Sequence, residues 1–287
     1  MHSLDVNSSL LNLKVKKFIS STGTPLSLAS KILHFESSQF LEWWVNDGKI
    51  PISFAHLNKL SVYFNISPND IISEQYDINS IRKIFINSDI TLPEKYMVDQ
   101  KSYVRTSAHI IKYLVKTRGQ FFCDTILCKL GVNPYIYENL SNKINLLYFI
   151  DLLDIISLNG VSENELDQLA CSLFLALHDT DLGQALKSAT TYYECYSVLI
   201  KNIHLFDSNF KYGFILDTES VTIVSKLIFL EHQSVRLDKI DLTRLLRYRQ
   251  ILSGCIPYLS SLAPILPTVH TIKSTDAITS EYYIKFN

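Results

Sequence analysis

The chain has 287 residues, 47% of them apolar and 19% charged, with Lys+Arg 27 against Asp+Glu 28 for a net charge of −1. That much apolar surface can offset the entropy of ordering a chain, so a disordered or low-complexity protein is excluded. The charge balance likewise excludes a polycation that coats nucleic acid along its whole length.

In chain order, Thr24-Pro25 is a helix start, with Thr as cap and Pro in the first turn, and Leu28, Ala29, Ile32 and Leu33 face inward. Ser37-Ser38 can cap a second helix, Gln39–Val45, which Asn46-Asp47-Gly48 stops. Leu57, Leu60, Phe64, Ile66 and Ile71 then recur at helical period around a corner at Asn65–Pro68. Residues 77–96 mix charge with Asn79, Asn87, Ser88 and Pro93 and read as a linker, dividing the chain into modules 1–76 and 97–287. In the larger module Ile110–Val115, Cys123–Leu130, Leu146–Ile156, Asp181–Leu199 and Leu242–Leu252 carry helical patterns. Between the last two, Ile203–Phe206, Tyr212–Leu216 and Val221–Val224 are short β-branched and aromatic runs parted by turn residues, the pattern of a three-stranded antiparallel meander. The tail from Pro257 is rich in Pro and Ser, with one last strand at Tyr282–Phe286. The expected fold class is therefore mainly α with a small antiparallel sheet: an N-terminal five-helix bundle followed by an α+β domain.

Leu28-Ala29, the Trp44/Asn46/Gly48-Lys49…Pro51 stretch and the Leu57–Ile71 row resemble the lambda-repressor-like (Cro-type) helix-turn-helix domain over about 50 residues. The resemblance implies that the Ser37–Val45 helix enters the major groove of double-stranded DNA. Ser37, Ser38, Gln39 and Glu42 would then meet bases and phosphates, and Lys14, Lys16, Lys17 and Lys49 would neutralise phosphates. Gln39 suits bidentate bonding to adenine. Against this, Met1–Tyr76 carries six Lys, no Arg and six acidic residues, so the module is neutral. A degenerate helical bundle that contacts a protein partner is the alternative.

The order of helix, Gly119, the helix ended by Gly131, Asn133-Pro134 and a long apolar helix is followed by Asp181-Leu182-Gly183-Gln184-Ala185-Leu186-Lys187 and Tyr192-Tyr193. This run resembles the arabinose-binding-like effector domain of AraC-type transcription regulators over about 101–267. There the DNA-binding module follows the effector domain, whereas here the readout would lie at the N-terminus. The resemblance implies a small-molecule effector, apolar or acyl-like, and a homodimer. Tyr192, Tyr193, Tyr196, Phe206, Tyr212 and Phe214 are the candidate ligand lining. On the Asp241–Ser253 helix, Leu242, Leu245, Leu246 and Ile251 make an apolar stripe flanked by Arg244, Arg247 and Arg249, a candidate dimer interface.

No nucleophile elbow, zinc-protease helix, P-loop or dinucleotide fingerprint occurs, so no enzyme and no cofactor is expected. His178, Asp179 and Asp181 read as a solvated cap rather than a metal site. No apolar run reaches the roughly 18 residues of a membrane span, since Asp151 and Asp154 interrupt the longest, and Met1–Lys17 lacks a signal-peptide pattern. The five cysteines (Cys123, Cys128, Cys171, Cys195, Cys255) include no C-x-x-C pair and are expected as buried reduced thiols of a cytoplasmic protein.

Overall fold

The computed structural model describes residues 3–46, 52–87, 92–173, 177, 180–203, 209–228, 242–274 and 277–286. The architecture is mainly α with small antiparallel sheets. The chain divides into two compact units, Met1–Pro93 with Gln120–Glu138, and Glu94–Gly119 with Asn139–Asn287.

The first unit opens with five helices, α1 (Ser3–Thr22), α2 (Leu26–Leu33), α3 (Ser37–Asn46), α4 (Phe54–Phe64) and α5 (Pro68–Ser73). Their boundaries follow local chemistry. α2 ends on His34 and α4 on Asn65, both left-handed, with φ of 57° and 50°. Ser67 then caps α5 by accepting from the Asn69 amide at 3.2 Å, and the Asp70 carboxylate returns to the Ser67 amide. Thr24 does not cap α2: its hydroxyl pairs with that of Thr22 at 2.7 Å, and Pro25 takes the cap position without a side-chain bond. The core joins Phe18, Leu33, Phe40, Trp43, Leu57, Leu60 and Phe64, all at most 1% exposed.

Residues 77–96 are not the linker that their polarity suggests. Helix α6 (Ile78–Asn87) lies there and buries Ile81 against the same core, while Arg82 Nε donates to the Thr22 carbonyl at 3.0 Å. After α7 (Arg105–Arg118), which belongs to the second unit, the chain returns with α8 (Gln120–Leu130). α8 packs on α2 and α3 and adds Cys128 to the first core. The unit thus needs a segment that no reading of 1–76 contains.

The second unit holds α7, α9 (Leu146–Leu158), α10 (Glu163–Cys171), α11 (Asp181–Lys187), α12 (Tyr192–Asn202) and α13 (Thr243–Cys255). Strands β1 (Ser102–Tyr103) and β2 (Lys143–Ile144) pair with each other. The larger sheet comprises β3 (Phe210–Leu216), β4 (Ser220–Ile228), β5 (Thr268–Lys273) and β6 (Ala277–Lys285) in the order β3-β4-β6-β5, antiparallel throughout. Phe214 faces Ile223, and Ile223 faces Tyr282. Ile278, Ser280, Tyr282 and Ile284 are buried while Glu281, Tyr283 and Lys285 are exposed, so one sheet face meets helices and the other water. That inner face packs on Leu186, Tyr196, Leu199 and Ile256.

Three sequence expectations change here. The Asp181–Leu199 pattern is two helices, because Thr180 caps α11 and Thr191 caps α12 through the Gly183 and Glu194 amides. The meander is not Ile203–Phe206 plus two runs: Ile203 ends α12, 204–206 lie outside the described residues, and β5 and β6 from the tail complete the sheet. Cys171 and Cys255 are disulfide-bonded, with Cα atoms 5.2 Å apart, because α10 and α13 pack side by side. Cys123, Cys128 and Cys195 are buried and outside any disulfide, as expected, whereas the expectation of reduced thiols fails for Cys171 and Cys255. Among the described residues no helix is long and apolar enough to cross a membrane.

At the end of α13, a Cβ on Gly254 would lie 1.9 Å from the Ile265 carbonyl oxygen. Gly254→Ala is expected to lower the stability of the second unit by about 1–3 kcal/mol in urea melts, because backbone rather than a flexible side chain must move. Ile81→Ala is expected to cost about 2–5 kcal/mol, the penalty of a buried core residue. A change within about 0.5 kcal/mol, normal for surface positions, would return 77–96 to the status of a linker.

Candidate functional site

In the first unit the residues expected to read DNA do not all share a free face. Ser38, Gln39 and Glu42 are exposed on α3, but the Ser37 hydroxyl donates to the Cys128 carbonyl at 2.9 Å, so the start of α3 is pinned to α8. Lys14 Nζ lies 2.6 Å from Glu74 Oε1, and Lys17 pairs with the other oxygen of the same carboxylate. Hydrogen bonds from these two ammonium groups hold the Glu74 carboxyl below its ordinary range, and Lys17 is raised in turn. Lys16 donates to the Trp44 carbonyl at 2.8 Å. Lys49 lies outside the described residues. Trp43 is core, its indole N–H donating to Asn12 Oδ1 at 3.1 Å, while Trp44 is half-buried and stacks on Phe40.

The second unit contains a cavity of about 290 Å³. The sheet supplies Tyr212, Phe214, Ile223 and Tyr282, and α13 supplies Leu245, Tyr248, Arg249, Leu252, Ser253 and Ile256. α7 contributes Arg105 and Thr106, α9 contributes Leu146 and Phe149, and Leu173, Leu177, Leu182 and Leu199 close the apolar wall. Helical spacing explains the α13 share: positions 245, 248, 249 and 252 recur at i, i+3, i+4 and i+7, which is one face.

Polar groups enter this wall at a few points. The Arg249 guanidinium sits 3.4 Å from the Phe210 ring centroid and donates to Tyr212 Oη at 2.5 Å. Arg105 lies over the Tyr103 ring at 4.2 Å. Tyr248, 3% exposed, packs edge-on against Phe149, and its hydroxyl is hydrogen-bonded to His109 Nε2. His109 is 0% exposed on α7, and burial pushes its pKa down to about 3; burial also holds the Tyr248 phenol well above its ordinary value. Among the described residues none that lines the cavity is acidic.

Of the expected ligand residues, Phe214 and Tyr212 line the cavity and three tyrosines do not. Tyr196 is buried in the core, donating to the Ser253 carbonyl at 2.8 Å; Tyr192 donates to the Ala263 carbonyl at 3.2 Å; Tyr193 is exposed. Phe206 falls outside the described residues. Tyr192 and Tyr196 stack instead on Phe286.

The expected dimer stripe packs within its own unit. Leu242 and Leu245 are buried and Leu246 is half-buried. Arg244 bonds Asp154 at 2.7 Å, and Arg247 bonds Asp167 at 2.8 Å. These arginines tie α13 to α9 and α10, so they mark an internal seam. Sequence reading missed His109 and Tyr248 as a pair, since 139 residues part them. The one available signal was a histidine on the apolar stripe of α7. Among the described residues no group of three His, Cys, Asp or Glu is placed to hold a metal; His178 and Asp179 lie outside them.

No protein-family model matches the chain, and no curated protein matches it. Among solved structures, it is similar to the Fe(II) unliganded H-NOX protein of K. algicida at 12% identity and a TM-score of 0.44. A single-residue mutant of that protein gives 11% and 0.45. Each match covers 64% of this chain and 97% of the other. Likeness at that level carries no argument about function.

His109 supplies a pH signature. A histidine whose folded pKa lies below its unfolded value contributes stability that is full above about pH 6.5 and is lost as pH falls towards the folded pKa. Between pH 7 and pH 4.5 the stability advantage of the wild type over His109→Gln is expected to shrink by about 2–3 kcal/mol, read by urea melts at each pH. A constant difference would mean that the imidazole is not held neutral by burial.

Proposed function

We propose that the chain is a cytoplasmic, ligand-responsive transcription regulator. The second unit takes a small apolar-bodied effector, and the first unit acts on double-stranded DNA, working as a homodimer. The observation that carries the sensing half is the 290 Å³ cavity, near the lower limit of small-molecule sites, walled by leucines and aromatics with a few polar groups. An apolar space of that size left empty forfeits the dispersion contacts of its lining, so an occupant that fits is stabilising. The DNA half is supported by the order of five helices, with α2 and α3 joined by a short turn and Ser38, Gln39 and Glu42 exposed on α3.

A second reading, in which the first unit contacts a protein partner and not DNA, is favoured by two observations. Ser37 is bonded to the Cys128 carbonyl, and Lys14 and Lys17 share Glu74. Groups spent inside the unit are poorly placed to release counterions from DNA.

Thermal unfolding against a panel of medium-chain acids, medium-chain alcohols and aromatic acids tests the sensing half. At least one compound is expected to raise the melting temperature in a concentration-dependent way. Leu252→Trp, which fills the cavity at a cost of about 1–3 kcal/mol, should abolish that rise. A flat response from every compound would overturn the sensor reading. Gel shifts on a random-sequence duplex library at graded salt test the other half. Salt-sensitive retention is expected, with Gln39→Ala costing about 1–3 kcal/mol on the selected site. No retention at low salt, with or without a stabilising compound, leaves the protein-contact reading in place.

A further inference from the structure

The first unit carries an open groove of about 670 Å³ between α2 and α4. Ser27, Leu28, Lys31 and Ile32 recur at i, i+1, i+4 and i+5, so they form one face of α2. Asn58, Lys59, Val62 and Tyr63 repeat that spacing on α4 and supply the facing wall. His34, just past the end of α2, and Asn133 complete the lining. Neither the exposed polar residues of α3 nor Lys14, Lys16 and Lys17 contribute to it.

The charge of this groove is one-sided. Among the described residues none that lines it is acidic, while Lys31, Lys59 and His34 are all basic. Lys59 is half-buried and reaches the Leu33 carbonyl at 3.4 Å, which brings its ammonium to the His34 end of α2. Lys31 and the His34 ring form no ion pair or hydrogen bond among the described residues. His56, on the same helix as Lys59, feels the same field: burial lowers its pKa first, and Lys59 and His34 lower it further. Lys31 is lowered as well, by the partial loss of water around its ammonium. Lys17 is the contrast, because it has Glu74 for a partner and is raised. Basic groups gathered without a carboxylate attract an anion from outside. Ser27 adds a neutral donor: it is 4% exposed, its hydroxyl has no hydrogen-bond partner, and its short side chain stays on the face where its Cβ sits.

The head group follows from that inventory. Two ammonium groups with an imidazole exceed what one carboxylate neutralises, whereas a phosphate monoester carries about −1.5 to −2 charges and three acceptor oxygens. The body follows from the walls. Leu28, Ile32 and Val62 are apolar, Val62 is 82% exposed, and the volume lies within the range of small-molecule sites. We propose that the groove binds an organic phosphate, its head group held by Lys31, Lys59 and His34 and its apolar body lying along Leu28, Ile32 and Val62. This is independent of the sensor reading, whose cavity belongs to the other unit.

The test is titration calorimetry of the full chain, at fixed ionic strength, with naphthyl phosphate, naphthoate and inorganic phosphate. Naphthyl phosphate is expected to bind at least about tenfold more tightly than either of the others. Lys31→Gln combined with Lys59→Gln should weaken it at least about tenfold. Lys14→Gln, which removes an ammonium already paired with Glu74, should leave it within about twofold. Should the double variant lose its native circular dichroism, Lys31→Gln alone, at an exposed position, carries the comparison with at least about threefold weakening expected. Binding that survives these changes belongs elsewhere in the molecule, the second unit's cavity included, and overturns the groove assignment. Naphthoate as tight as naphthyl phosphate overturns the choice of head group, and inorganic phosphate as tight overturns the apolar body. Binding of no probe overturns the proposal; if the lysine variants then lose retention of duplex DNA in gel shifts, the two lysines serve DNA phosphates instead.

Discussion

The second unit depends on the closeness of two backbones at Gly254. The Ile265 amide donates to the Gly254 carbonyl at 2.9 Å, and the Ile265 carbonyl oxygen occupies the space any Cβ would need. Because the chain after α13 returns this tightly, Ile256 and Leu259 fall into the core, and the tail is delivered to β5 and β6. Those strands complete the sheet, and the sheet is one wall of the cavity. α13 is another wall, kept in place by Arg244 and Arg247 on carboxylates of α9 and α10 and by the Tyr196 hydroxyl on the Ser253 carbonyl. A glycine with no chemistry of its own thus fixes the spacing between the two sides of the site.

What was legible in the sequence was what local physics decides. The corner between α4 and α5 follows from Asn65, Ser67 and Pro68 alone, since each acts within four residues of itself. The β3 and β4 runs were visible by alternation and turn chemistry. β5 was not: Thr268–Lys273 is exposed at Thr268, His270, Ile272 and Lys273, so its strand character comes from pairing with β6 and not from an apolar face. α6 was hidden for a related reason, in that Asn79, Ser80, Arg82 and Lys83 are exposed polar positions and, among its side chains whose burial is described, Ile81 alone is fully buried. The inclusion of α8 in the first unit is a tertiary fact with no local signature.

The same division runs through the sites. Lys14 and Lys17 looked like a phosphate-neutralising row because their partner, Glu74, is almost sixty residues away in sequence. The tyrosine cluster at 192–196 was the right kind of residue in the wrong place: the Tyr192 and Tyr196 rings pack on Phe286, a contact across more than eighty residues with no local signature. The cavity's two arginines come from α7 and α13, and the α13 arginines read as the flank of a dimer stripe until the fold packs that helix inside one unit. Charge and aromaticity identify candidates, and only nonlocal packing says which candidates have already been used.

That distinction bears on how occupancy becomes a signal. A ligand shifts a protein between states only by its difference in affinity for them, so tight binding alone transmits nothing. Within the second unit the ligand would touch the sheet and α13 together, and α13 is the element that also holds α9 and α10 through ion pairs and the Cys171–Cys255 bond. Filling the cavity changes the free energy of any arrangement in which α13 shifts against the sheet, because those arrangements open or close the same apolar space. The described lining of the cavity is mostly apolar, so an occupant would tolerate small displacements of it. An occupant that nonetheless fits one placement of α13 better than its neighbours would supply the differential affinity that a sensor requires.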